Sequence, residues 1–161
     1  MNTNNLTTKT QEAIQQAQQL AMAADNQSVE TGHLMKGILK VDENVTLFLF
    51  KKLGVNFNLF VQALDKVVES YPKVEGGDIY LSKEAAQVVA KASNHLKTFG
   101  DEYVSIEHML LSLLDVKSTV STLMKDNGIT AKDLNLAITE LRKGSTVNSQ
   151  SAEETYNALN K

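Results

Sequence analysis

One helical unit is written twice in this chain, and that duplication constrains the fold more than any other feature. Val29-Glu30-Thr31-Gly32-His33-Leu34-Met35-Lys36-Gly37-Ile38-Leu39 returns as Val104-Ser105-Ile106-Glu107-His108-Met109-Leu110-Leu111-Ser112-Leu113-Leu114, at an offset of 75 residues (108 − 33). The same offset carries Val88, Val89, Ala92, Leu96 and Phe99 onto Ala13, Ile14, Ala17, Ala21 and Ala24. Both sets keep the i, i+3, i+4 rhythm of an amphipathic helix. A repeat this long in two copies does not make a solenoid, whose units run about 20–50 residues and stack in threes or more. The expectation is an all-α, pseudo-twofold globule, a four-helix unit duplicated into about eight helices, with repeat one at about 6–70 and repeat two at about 81–143.

Within repeat one, Thr7 or Thr8 caps a helix running to about Ala24, whose alanine-rich face implies a close helix neighbour. A second helix spans about Thr31 to Val41, burying Leu34, Met35, Ile38 and Leu39. A third runs roughly from Val45 to Leu53 and stops at Gly54; Asn56 then caps a fourth with the stripe Leu59, Phe60, Ala63, Leu64, Val67 and Val68. Leu47-Phe48-Leu49-Phe50 is apolar around the helix, a pattern of burial or of a partner-binding patch. Tyr71 to Asp78 holds the only proline and a glycine pair, and reads as the connector. Repeat two is expected at Ser82–Phe99, Ser105–Asp115, Thr119–Asp126 and Ala131–Lys143. Residues 1–144 form the domain. Residues 145–161 read as a linker that opens polar and ends in a short helix carrying Tyr156 and Leu159.

Composition narrows the chemistry. A net charge of −3 with lysines and glutamates interspersed offers no cationic field for nucleic acid. There is no cysteine, hence no disulfide and no thiolate metal site. The first twenty residues are polar and glutamine-rich, unlike a secretory signal, and no apolar run reaches the 18 or so residues of a membrane helix. A cytoplasmic protein without membrane contact is expected. Neither a phosphate-cradling glycine loop nor a nucleophile elbow nor an H-E-x-x-H pair occurs, so no enzyme activity is expected of this piece.

The three histidines, His33, His95 and His108, raise a remote alternative, a histidine-based metalloenzyme, because three imidazoles suffice for a catalytic zinc. The local reading is structural: His33 and His108 hold the same station in the two halves, and His95 sits near a helix end. Asp101, Glu102 and Glu107 near a helix start either complement the helix dipole or form an acidic rim able to meet basic peptide segments.

The duplicated unit, its V-x-x-x-H-[LM] helix start in each half, the Gly100-Asp101 turn and the trailing Ser151-Ala152-Glu153-Glu154-Thr155-Tyr156-Asn157-Ala158-Leu159 resemble the Clp N-terminal domain family, most closely its disaggregase branch. The resemblance covers essentially the whole chain. It implies a domain tethered to AAA+ ATPase modules that use ATP and Mg and assemble as a homohexamer, while this fragment itself is monomeric and needs no cofactor. It further implies weak binding of unfolded or aggregated proteins, received with help from a DnaK-type chaperone system. By the family's pattern, Thr7, Asp101 and Glu107 contact peptide, and Val88 lines the floor of an apolar groove. His95 and His108 stand where the family's groove offers leucines. The alternative within the family is an adaptor- or substrate-docking domain of a protease-associated Clp unfoldase. One protease-linked branch binds phosphoarginine through a glutamate before each histidine; this chain has Glu107 but Gly32.

Overall fold

The computed structural model describes residues 5–153. Among them are nine α-helices: α1 (Thr8–Ala23), α2 (Thr31–Val41), α3 (Glu43–Lys52), α4 (Phe57–Glu69), α5 (Lys83–Lys91), α6 (Leu96–Phe99), α7 (Ile106–Asp115), α8 (Thr119–Asp126) and α9 (Ala131–Arg142). Capping explains most of their starts. Side-chain oxygens of Thr7, Asp42, Asn56, Ser82, Ser118 and Thr130 each accept a main-chain N–H from the first turn that follows.

One expected helix is broken. The stretch from Ser82 to Phe99 divides into α5, a 3-10 turn over Ala92–His95, and α6, which raises the helix number above eight. The break falls at Ser93 and Asn94, poor interior residues whose side chains compete for backbone; the Ser93 hydroxyl donates to the Ala90 carbonyl at 3.3 Å. Gly100 then ends α6 at φ 68°, a conformation a Cβ would penalise. The stripe expected on α4 is also narrower than its sequence suggests. Phe60 and Leu64 are buried, but Leu59 is 58% exposed.

The pseudo-equivalent helices α2 and α7 form the centre. Helix α2 packs against α1, α3, α4, α5, α7 and α8, and every residue of α7 from Ile106 to Leu114 is buried. Phe50 and Phe60 meet edge to face at 4.8 Å in the same core. Two reciprocal main-chain ladders, unannounced by the sequence, join the repeats. Strand β1 (Ser28–Val29) pairs in parallel with β2 (Tyr80–Leu81), setting Val29 opposite Leu81, while Leu6 bridges Val104. Each ladder is the other's image under the 75-residue offset. The Ser82 N–H donates to the Val29 carbonyl at 2.9 Å, and the Thr7 N–H to the Val104 carbonyl at 3.0 Å. The chain entering each repeat is thus tied to the other repeat's central helix. Ladders this short have no alternation to detect.

The two segments that follow the repeats fold back. Tyr71 to Val74 returns to the loop after α1, where the Val74 N–H donates to the Asp25 carbonyl at 2.8 Å. Residues 145–153, expected as a linker, pack onto repeat two, with Val147 and Glu153 buried. The expected C-terminal helix around Tyr156 and Leu159 lies outside the described residues.

Candidate functional site

The paired histidines do the same local work. The Glu30 N–H donates to His33 Nδ1 at 2.9 Å, and the Ser105 N–H to His108 Nδ1 at 2.7 Å. With Nδ1 accepting, the ring proton is on Nε2, which faces Asn26 Oδ1 at 2.9 Å in repeat one and Asp101 Oδ2 at 2.7 Å in repeat two. Each ring therefore closes the start of its central helix onto the preceding loop. Only the partner differs, an amide at one station and a carboxylate 75 residues on. His95 is elsewhere, bonded to Asp115 at 2.6 Å. Among the described residues, no three His, Asp or Glu side chains are grouped so as to hold a metal ion.

Burial, and secondarily the charge of Lys36, pushes the His33 imidazole down to about 4 from an ordinary 6.5. Its folded value is depressed, so the unfolded chain binds the proton first on acidification. The stability contributed by neutral His33 is complete above pH 6.5 and lost as pH falls through about 4. Urea melts across that window should show stability declining with acid, and His33→Gln should flatten the decline. An equal slope in the variant would assign it to other groups.

Around Asp101 the second station is ionic. Arg142, at the end of α9, donates from Nη1 to Asp101 Oδ1 at 3.0 Å, from Nε to Glu107 Oε1 at 3.1 Å, and from Nη2 to the Ser105 hydroxyl at 3.3 Å. Its guanidinium also lies 5.2 Å over the Phe99 ring. Burial alone would raise the Asp101 carboxyl. Hydrogen bonds from His108 and the Val147 N–H, with the charge of Arg142, outweigh it and hold the group below its ordinary value.

Glu153 completes the cluster, its Oε2 accepting the Ile106 N–H at the start of α7 at 2.9 Å. In repeat one a different side chain returns to the start of the central helix, one residue further along: the Tyr71 hydroxyl receives the Gly32 N–H at 3.1 Å. A Cβ at Gly32 would strike that hydroxyl. Burial and then the neighbouring charge of Glu107 push the Glu153 carboxyl up to about 8, against the Thr7 hydroxyl, the Ile106 N–H and the Lys9 ammonium, which pull the other way.

Of the residues expected at a peptide site, Thr7, Asp101, Glu107 and His108 are brought together, but beneath the surface. Thr7 caps α1 and bonds the Thr10 hydroxyl at 2.8 Å. Of the three carboxylates read as a helix-dipole complement or an acidic rim, Asp101 and Glu107 are buried in a network with Arg142, and Glu102 is exposed. Val88 does not line a groove floor: it is fully buried, and its carbonyl accepts the Ser112 hydroxyl at 2.6 Å. Its neighbour Val89, one helix position round, lines an open, mainly apolar groove of about 550 Å³ with Leu6, Leu81, Ala86, Ala90 and Val104, and Asn5 and Ser93 add polar edges to it. The groove runs along the Leu6–Val104 ladder, and the exposed Ala86 and Ala90 keep its α5 wall low. His95 and His108 are not among its lining residues. Alanines one turn apart on α5 were the available signal for it; Arg142 and Glu153, distant in sequence, had none.

Comparison with known proteins agrees with this fold. The family described as the Clp repeat (R) N-terminal domain matches residues 5–127. The whole chain is 52% identical to part of the chaperone protein ClpB of Bacteroides thetaiotaomicron and 47% identical to that of Porphyromonas gingivalis, spanning 19% of the length of each. Its fold is similar to the Hsp104 N-terminal domain from Candida albicans, with a TM-score of 0.80 at 22% identity over 92% of this chain and 99% of that one. The N-terminal domain of ClpD from Arabidopsis thaliana superimposes with a TM-score of 0.64 at 22% identity, over 87% and 99%.

Proposed function

The chain belongs to the Clp N-terminal domain family, and on that premise we propose that it is the substrate-recognition domain of a ClpB-type, ATP-dependent protein disaggregase. It holds unfolded or aggregated polypeptide weakly and passes it to an ATPase pore. The observation that carries this reading is the apolar groove of Leu6, Leu81, Val89 and Val104, which follows the ladder joining the two repeats. Misfolded chains expose aliphatic side chains and unpaired backbone together. A groove walled by small apolar groups beside main-chain ladders suits both without demanding a sequence. Thr7 and Ser105 directly follow the groove residues Leu6 and Val104, so the Thr7, Asp101 and Glu107 cluster enters the proposal as the polar continuation of the site.

The rest of the machine is part of the same proposal: ATP and Mg in AAA+ modules, a homohexamer, cooperation with a DnaK-type system, and a cytoplasmic setting. Among the described residues no single helix is long and apolar enough to cross a membrane. The protease-associated alternative gains nothing from either station: Tyr71 occupies the space beside Gly32 in repeat one, and Arg142 engages Glu107 in repeat two.

Titrating labelled, unfolded casein against the domain should give a dissociation constant of about a micromolar or weaker, since a shallow groove has no deep anchors. Six copies on one hexamer would offset that weakness through effective concentration. Val89→Asp should weaken binding about tenfold by putting a charge among apolar contacts. Equal affinity for variant and parent would remove the groove from the site.

A further inference from the structure

Residues 145–148 lie on repeat two as a bound extended peptide would, and 149–153 then turn towards the start of α1. The Val147 carbonyl accepts the Glu102 and Tyr103 N–H groups at 2.8 and 3.1 Å, and its own N–H donates to Asp101 Oδ1 at 2.8 Å. The Gln150 carbonyl accepts the Thr8 N–H at 3.0 Å, next to the capping Thr7. Val147 is the fully buried anchor, and six residues on the Glu153 side chain receives the Ile106 N–H. The domain thus offers main-chain donors from Thr8, Glu102, Tyr103 and Ile106 and a single side-chain acceptor. Only Ile106 of these four is buried, with Thr8 and Glu102 at the surface, so the row lies open to any chain whose carbonyls reach it, whatever its sequence.

We propose that residues 145–153 are an internal pseudosubstrate, a detachable strap that closes the Thr7–Asp101–Glu107 face and whose place is taken by a polypeptide segment that presents a small aliphatic residue, turns, and presents a glutamic acid or glutamine six positions later. This rests on the polypeptide-recognition reading above and adds its regulation. Beyond the buried Val147 and Glu153 and the partly buried Ala152, the strap has little cohesion of its own: Ser145-Thr146-Val147-Asn148-Ser149-Gln150 has one apolar side chain and forms no helix. Its last anchor is also its least comfortable. Glu153 faces Glu107 of α7 and Lys9 of α1, with Arg142 of α9, Asp101 and His108 behind Glu107. Its carboxyl is raised, so the docked strap keeps a proton that the free strap gives up. Docking is strongest below pH 4.5 and weakens as pH rises through about 8. Gln at 153 would keep the hydrogen bonds without the charge.

The test uses the 161-residue chain, hydrogen exchange at the Thr8, Glu102, Tyr103 and Ile106 amides, and labelled, unfolded casein. Val147→Asp should free the strap and speed exchange at those amides. If the strap is open about a tenth of the time in the parent, casein affinity should tighten about tenfold. Glu153→Gln should do the reverse at pH 8, slowing exchange and weakening casein. A synthetic peptide of residues 145–153 should restore protection to the Val147→Asp protein and compete with casein. Should Val147→Asp fail to fold, Val147→Ser makes the same comparison without a new charge. Freed amides with unchanged casein affinity, or amides that stay protected in both variants, would overturn the pseudosubstrate. If neither parent nor variant binds casein while the peptide still restores protection, the strap stands and the polypeptide-recognition reading falls.

Discussion

Arg142→Ala should lower the free energy of unfolding by about 3–5 kcal/mol, the range for breaking a buried ion pair from one side. The reason is what it leaves behind. Arg142 is the cation that Asp101 and Glu107 share, and both carboxylates are buried where water cannot replace it. Desolvation that the ion pairs offset would return as an uncompensated charge. Asp101 would keep His108 and the Val147 N–H. Lysine at 142 should recover little, since a point charge cannot reach Asp101, Glu107 and Ser105 at once as the planar guanidinium does. Combining Arg142→Met with Glu107→Gln should restore part of the loss by removing the stranded charge. Urea denaturation of the four proteins decides the matter; a loss below about 1 kcal/mol for Arg142→Ala would mark the network as an incidental ion pair.

Gly37→Ala should cost about 3 kcal/mol, the upper end for overpacking a core. A Cβ at Gly37 would collide with the carbonyl oxygen of Ala13 and crowd the amide nitrogen of Ala17, both main-chain atoms of α1 that no rotamer change can move. The alanine face of α1, with Ala13, Ala17 and Ala21 buried, lets the two helices come this close. Repeat two supplies the control. Ser112 occupies the same station on α7, and its hydroxyl donates to the carbonyl of Val88, the counterpart of Ala13. There the helices are spaced for a side chain, so Ser112→Ala should cost only about 1 kcal/mol, one hydrogen bond. Urea melts giving equal losses for the two alanines would show that the spacing difference has no energetic weight.

The helices were legible because their signals are local. Thr7, Asn56, Ser82 and Thr130 cap where their side chains and the following apolar rhythm required, and α2 and α8 run as their sequences state. The site was legible in part. Thr7, Asp101, Glu107 and His108 do gather, since the Gly100 turn and the start of α7 place three of them within one loop. Their burial was not legible, because it depends on Arg142 and on residues 147–153, which arrive from beyond α9. Val88 differs from Val89 by about 100° of helix rotation, and periodicity over a short α5 does not resolve which of the two faces the groove.

The sequence by itself determined a duplicated all-helical unit, the caps and most of the helix bounds, because these follow from side chains a few residues apart. Only the tertiary structure decided which copies of a repeated motif face outward. The same histidine station closes on Asn26 in one half and on Asp101, Arg142 and Glu153 in the other. Which partners reach it is set by chain returning from 39 to 47 residues beyond, and electrostatics across such separations exists only once the fold has brought those charges out of water and into contact.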